Sequence, residues 1–169
     1  ALILGYGRYD SMTWRGSTTT MERVFASLPY LLPLVEVFKY GSFLMTQLPI
    51  LGVLFLPILP LLKVYYGVRY AGLLVFFALF TLVVRSERIG HFIRFNTMQA
   101  ILLDISIFLF GILMDLIRLV SIGDFAVKTL STTVFLGIIA AAIYSVAQSL
   151  MGRYAEIPAI SDAVHMQVR

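Results

Sequence analysis

The residues able to do chemistry are few, and most lie between Arg85 and Arg118. The densest group runs Arg85-Ser-Glu-Arg-Ile-Gly-His-Phe-Ile-Arg-Phe-Asn-Thr-Met-Gln99. On a helix, His91, Arg94 and Met98 share one side by three- and four-residue steps, while Asn96 and Gln99 share another. Two roles suit such a cluster. It is a rim touching a polypeptide or partner at a membrane surface, or it is interfacial anchoring, with arginines meeting phosphates and amides tying helices together. His91 has no His or carboxylate at ligand spacing, so no metal site is expected. Further on, Thr97, Ala100, Asp104, Gly111, Asp115 and Arg118 recur at steps of three, four and seven, with Phe108 among them, and so occupy one helical face. Asp104 follows Phe92 by roughly 18 Å of helix at about 1.5 Å per residue. In a membrane that is past mid-depth, where a carboxylate costs about 2.5 kcal/mol or more, so it must face protein or water. It lines a hydrophilic path or a partner contact, or it is a neutral acid hydrogen-bonded to a neighbouring helix. Asp115 and Arg118 read as a surface pair. Thr133, Gly137, Ala141, Ser145 and Ser149 follow at strict four-residue steps, a line of small residues that lets two helices approach closely.

Other chemistries are excluded. No Walker loop, His-Glu-x-x-His or Gly-x-Ser-x-Gly elbow is present. The absence of cysteine removes disulfides, iron–sulfur clusters and thiolate zinc sites. Neither an enzyme nor a cofactor is expected. The aromatic content of 14% is what membrane cores and interfaces use, so no nucleic-acid surface is read from it.

The elements that position these residues follow from composition. The 169 residues are 60% hydrophobic and 13% charged, with mean hydropathy +0.92. A soluble domain is about 45–50% apolar and about 25% charged, so this chain is an integral membrane protein, all-α and polytopic. Charge-free runs place four spans near 43–62, 68–85, 92–118 and 128–150. The first holds Pro49, Pro57 and Pro60 and is expected to kink or break. Ahead of it, Thr19-Thr-Met-Glu22 reads as a capping box opening a helix. The apolar stretch Val24–Phe38 is short and contains Pro29 and Pro33, so it is expected to lie in the interface, the rival being a fifth span. The organisation is then a segment 1–18, an interfacial helix 19–39, a membrane domain 40–150 and a solvated tail 151–169. That arrangement puts nine Lys and Arg on the side of the termini and four on the other, which makes the terminal side the cytoplasm-like one. The chain begins Ala1-Leu-Ile-Leu without Met, which reads as a processed product or a fragment.

Several segments together resemble the small four-helix Tic subunit of the chloroplast inner-envelope translocon and its cyanobacterial relatives. They are HFIRFNTMQA at His91–Ala100 followed by ILLD to Asp104, FASLPYLLP at Phe25–Pro33, FLPILP at Phe55–Pro60, VVR at Val83–Arg85 and ISDAVHMQ at Ile160–Gln167. Ser86-Glu87 stands where Asn-Pro is expected, and Gly90 where Ser is. MTWRG at Met12–Gly16 looks more like plant or algal members. The resemblance implies a subunit of the protein-import machinery of the chloroplast inner envelope, both termini stromal, serving as channel component or core scaffold. Its partners would be other translocon subunits, translocating preproteins and membrane lipids. A small proton-coupled or solute carrier using Asp104 is the alternative. Against it, the prolines cluster in the first span with no matching segment in a second half.

Overall fold

The computed structural model describes residues 18–168, which are helical with no strand among them. Arg8, Arg15, the Met12–Gly16 motif and Arg169 lie outside the described residues.

The first helix, α1 (Thr20–Ser27), starts at the expected capping box. Thr19 Oγ1 accepts from the Glu22 amide at 3.2 Å, and the Thr19 amide donates to Glu22 Oε2 at 3.1 Å. A 3-10 turn (Leu28–Tyr30) leads into α2 (Leu31–Val37) and a second 3-10 turn (Phe38–Tyr40). Leu28, Leu31 and Phe38 all keep right-handed helical angles, so 20–40 is one rod. Pro29 sits in the first turn of its 3-10 segment, where a missing amide hydrogen breaks no bond. At about 1.5–2 Å per residue the rod is over roughly 30 Å long.

The two long helices are α7 (His91–Leu119) and α8 (Asp124–Leu150), and they form the frame. The rod is not an appendage at one end of them. Thr18 and Arg23 lie against Gly152, whose φ of +74° only glycine adopts readily. Tyr30 bonds Asn96 and is bonded by Gln99. Tyr40 packs edge-on against Phe110 at 5.1 Å, and Lys128 sits over the Phe43 ring at 5.3 Å. The rod therefore runs parallel to α7 and antiparallel to α8 along nearly their whole length.

Between the rod and α7 the expected spans are not continuous helices. Residues 42–67 form α3 (Ser42–Gln47), α4 (Ile50–Leu54), a 3-10 turn (Leu56–Ile58) and α5 (Leu59–Gly67). Leu48 leaves the helical region ahead of Pro49 (φ −128°, ψ 83°), as a residue before proline does. The expected span at 68–85 begins in a bend. Val68 is extended and Tyr70 is left-handed (φ 59°), so Leu56–Gly67 and Ala71–Val84 meet at 105°. The second arm comprises α6 (Ala71–Leu79) and a π-helical turn (Phe80–Val84) that returns to the beginning of α7, where Arg94 Nε donates to the Val84 carbonyl at 2.8 Å. By length and apolarity α7 and α8 are able to cross a membrane, and the bent pair makes a third crossing if taken as one span.

The tail is not free in solution as expected. Ile160–Gln167 forms α9, and its face of Val164 with the following Val168 packs into Phe95, Met98 and Ile101 of α7. The four-residue spacing of Val164 and Val168 supplies the apolar stripe that docks it. The main core lies where rod, α7 and α8 meet, around Tyr30, Val35, Ala100, Leu103, Ile107 and Phe135. Gly41 fits there because any side chain would run into the Phe135 ring.

Candidate functional site

The polar residues of α7 fall into two groups. Those in its first three turns are consumed inside the fold. Asn96 and Gln99 are fully buried. Asn96 Oδ1 accepts from Tyr30 at 2.8 Å and Ser149 at 2.9 Å, and its amide donates to the Phe92 carbonyl at 2.9 Å. Gln99 Nε2 donates to Tyr30 Oη (3.1 Å), the Ala155 carbonyl (3.2 Å) and Ser145 (3.4 Å), while its carbonyl accepts from Ser161 at 2.6 Å. One amide thus joins the rod, α8, the tail and α7. His91 Nδ1 and the Tyr154 hydroxyl are 2.9 Å apart. Among the rim residues of the sequence reading, the amides face inward rather than toward a partner's surface. Helical spacing groups residues on a face but does not say what covers it.

The second group lines a seam between the rod and α6. Near the beginning of α7, Thr97 is buried beside an apolar pocket of about 430 Å³ walled by Phe25, Leu28, Leu79 and Val83. Beyond mid-helix, Asp104, Phe108, Gly111, Asp115 and Arg118 all line a groove of about 1330 Å³. Its other walls are Ser42 and Thr46 of α3, Leu73 and Phe76 of α6, and Lys128 and Ser131 of α8. The groove exists because α5 swings away at the 105° bend, and α6 covers only part of the face that α7 presents. The face read from the spacing of Thr97, Asp104 and Gly111 therefore corresponds to one seam, whereas Ala100 is packed in the main core.

Glu36, Tyr65 and Gly72 close together beside the groove, where the rod, α5 and α6 meet. The Tyr65 hydroxyl donates to Glu36 Oε1, Tyr66 donates to the Val35 carbonyl at 2.6 Å, and a side chain at Gly72 would strike Tyr65 and Glu36. Glu36 also pairs with Lys39 at 3.6 Å. Both are within electrostatic range of Asp104. Asp104 Oδ1 is buried and has no hydrogen-bond partner within the described residues. Farther out, Asp115 pairs with Arg118 at 3.4 Å, as expected of a surface pair. Glu36 was missed by the sequence reading. The signal was present: an acid within the apolar run Val24–Phe38 invites the argument made for Asp104. No His/Cys/Asp/Glu group able to hold a metal occurs among the described residues.

The line of small residues on α8 divides. Ser145 and Ser149 are buried in the amide network, and Ala141 borders the core. Thr133 and Gly137 are exposed, and a side chain at Gly137 would meet nothing within 4 Å. Four-residue steps on a helix of 3.6 residues per turn drift by about 40° each, so the line winds from the inside to the outside.

The sequence matches the family described as "Chloroplast import apparatus Tic20-like" over residues 15–164. The chain belongs to the Tic20 family. It is 46% identical to the Tic20 family protein of Synechocystis over 88% of this chain and 93% of that one. Arabidopsis thaliana "Protein TIC 20-II, chloroplastic" is 36% identical over 95% of this chain and 80% of its own. The Porphyra purpurea "Tic20 family protein Ycf60" is 32% identical over 92% of this chain and 80% of its own. The Tic20 family is associated with chloroplast protein import. The amide network, the seam and the winding small-residue line all lie within the matched residues.

Proposed function

We propose that the chain is a core membrane subunit of the chloroplast inner-envelope import translocon, a scaffold that helps to build the preprotein path together with other subunits. The observation that carries this reading is the division of polar residues. The amides inside the bundle are spent on tyrosine, serine and backbone partners, while a largely apolar groove with a few charged residues and the apolar faces of α7 and α8 are left uncovered on the flank. Four helical passes leave little room between them for an aqueous pore, and here that room is filled by Tyr30, Gln99 and Ser145.

The four passes are the rod with Gly41–Phe43, the bent pair Leu56–Val84, α7 and α8. The rod replaces the interfacial helix of the sequence reading as first pass, and the two expected spans before α7 merge into one broken pass. Both termini then lie at the end where Arg23, Arg85, Arg88, Arg94 and Arg153 crowd. Lys39, Arg118 and Lys128 mark the other end. That bias supports a stromal position for the termini. His91, Arg94, Asn96, Thr97 and Gln99 serve as fastening residues in this account, and Asp104 faces partners. The family's description carries chloroplast import, the Arabidopsis relatives' names carry the chloroplast, and none of these carries a solute carrier.

The test is crosslinking of an arrested preprotein in isolated chloroplasts. Cysteines at Ala100 and Ser145, with a short bifunctional reagent, should capture no preprotein. Depletion of the chain should dissolve the translocon on native gels and stop import. A preprotein adduct at Ser145, or a translocon that persists without the chain, would overturn the scaffold reading.

A further inference from the structure

The groove beside α7 is too large, too apolar and too deep to be a surface irregularity. Phe108 and Leu109 are 67% and 58% exposed there, and Leu73 of the facing helix is 56% exposed. From Asp104 to Arg118 the groove follows α7 for about 21 Å at 1.5 Å per residue. About three turns of an apolar helix, roughly 10 Å across and 16 Å long, occupy on the order of 1300 Å³. The groove volume of about 1330 Å³ matches that figure.

Its charges are arranged unevenly. At the open end Arg118 pairs with Asp115, and Lys128 with Asp124 at 2.9 Å. Glu36 is engaged by Lys39 and Tyr65. Asp104, at the deep end, keeps a buried carboxyl oxygen with no hydrogen-bond partner among the described residues.

We infer that the groove seats a transmembrane helix of a different subunit, and that this helix carries a hydrogen-bond-donating side chain, lysine above all, near its middle. The apolar walls receive the helix face, and the donor meets Asp104. A diacyl lipid of similar volume fits the charges badly. Its headgroup would sit at the already paired open end and its tail tips against the buried Asp104 oxygen. A second copy of this chain supplies a lysine poorly: α6, α7 between Arg94 and Arg118, and α8 beyond Lys128 contain no lysine or arginine, and Lys63 lies in the short helix α5 of the bent pair. The inference deepens the scaffold reading by giving the partner's chemistry, but helix binding does not require import and is measured without it.

The full chain is placed in phosphatidylcholine vesicles with a single cysteine at Ile122, near the open end, carrying an energy-transfer acceptor. Two synthetic transmembrane peptides of about 21 leucines and alanines carry the donor, one with central Lys and one with central Leu. The Lys peptide should associate at least about fivefold more strongly than the Leu peptide. Asp104→Leu should bring the two level. Asp104→Asn, which keeps the shape, should lose most of the Lys preference. Ile112→Trp, at an exposed position of the groove wall, should weaken both peptides, and Ile143→Ala on the outer face of α8 should change neither. Equal binding of both peptides to the parent chain would overturn the inference, as would a Lys preference that survives Asp104→Asn. So would a photoreactive phosphatidylcholine that labels Phe108 equally with and without peptide, or chain–chain energy transfer that Ile112→Trp abolishes. Because no import machinery is present, loss of the scaffold reading leaves this result standing, and the converse holds.

Discussion

Replacing Gln99 with Leu tests whether the buried amide network holds the bundle together. The side chain is fully buried, donates to Tyr30, Ser145 and Ala155, and accepts from Ser161. Leucine is close in volume, so packing changes little and the loss is that of hydrogen bonds. The Ala155 carbonyl keeps Ser161 as donor at 3.2 Å, and Tyr30 keeps Asn96 as acceptor. Ser145 loses a donor and Ser161 its shorter acceptor. Interhelical hydrogen bonds in membrane proteins average about 0.6 kcal/mol and stranded buried groups cost about 1–3 kcal/mol, so Gln99→Leu should destabilise by roughly 2–3 kcal/mol. Unfolding by added SDS, followed by circular dichroism in mixed micelles, measures this. Ser106→Ala is the control, because Ser106 is exposed and bonds only the Leu102 carbonyl of its own helix; it should stay within about 0.5 kcal/mol of the parent. The double variant with Ser161→Ala should show coupling of about 0.5 kcal/mol or more. A Gln99→Leu protein as stable as the parent would refute the fastening role.

Gly41→Ala places a methyl against the buried Phe135 ring and should cost about 1–3 kcal/mol by the same SDS titration. Val164→Asp puts a carboxylate into the contact with Phe95 and Met98; limited proteolysis should then cut the tail after Gly152, while α7 and α8 stay protected. Gly137→Leu points into open space and should leave the chain's own stability within about 0.5 kcal/mol, although native gels should show a weakened translocon if that face meets another subunit.

Much of the frame was legible in the sequence. The long runs before and after Ser121–Gly123 became α7 and α8, and the capping box began a helix where Thr19 and Glu22 placed it. The periodic face of α7 led to the seam, since spacing fixes which side chains share a side. Pro29 and Pro33 read as shortening the helix over Val24–Phe38, and the structure continues it from 20 to 40. Each is accommodated without leaving the helical region, so two short helices and two 3-10 turns add up to a full length. The broken pass is the opposite case. A charge-free run measures apolarity, whereas the 105° bend comes from the backbone at Val68 and Tyr70, neither of which is a turn-forming type. For Asn96 and Gln99 the sequence leaves rim and helix-tying roles open because it gives the face but not its cover, here Tyr30, Ser149 and Ser161 from distant parts of the chain.

The account depends most on the rod being a membrane pass, because that fixes the parity of the whole chain and sets Glu36 beside Asp104. Single cysteines at Thr19, Ser42, Ile122 and Gln167, probed with a membrane-impermeant maleimide in intact and opened inner-envelope vesicles, decide it. The cysteine-free parent makes each label unambiguous. Thr19 and Gln167 should label from one side, and Ser42 and Ile122 from the other. Labelling of Thr19 and Ser42 from the same side would return the rod to the interface and contradict the account.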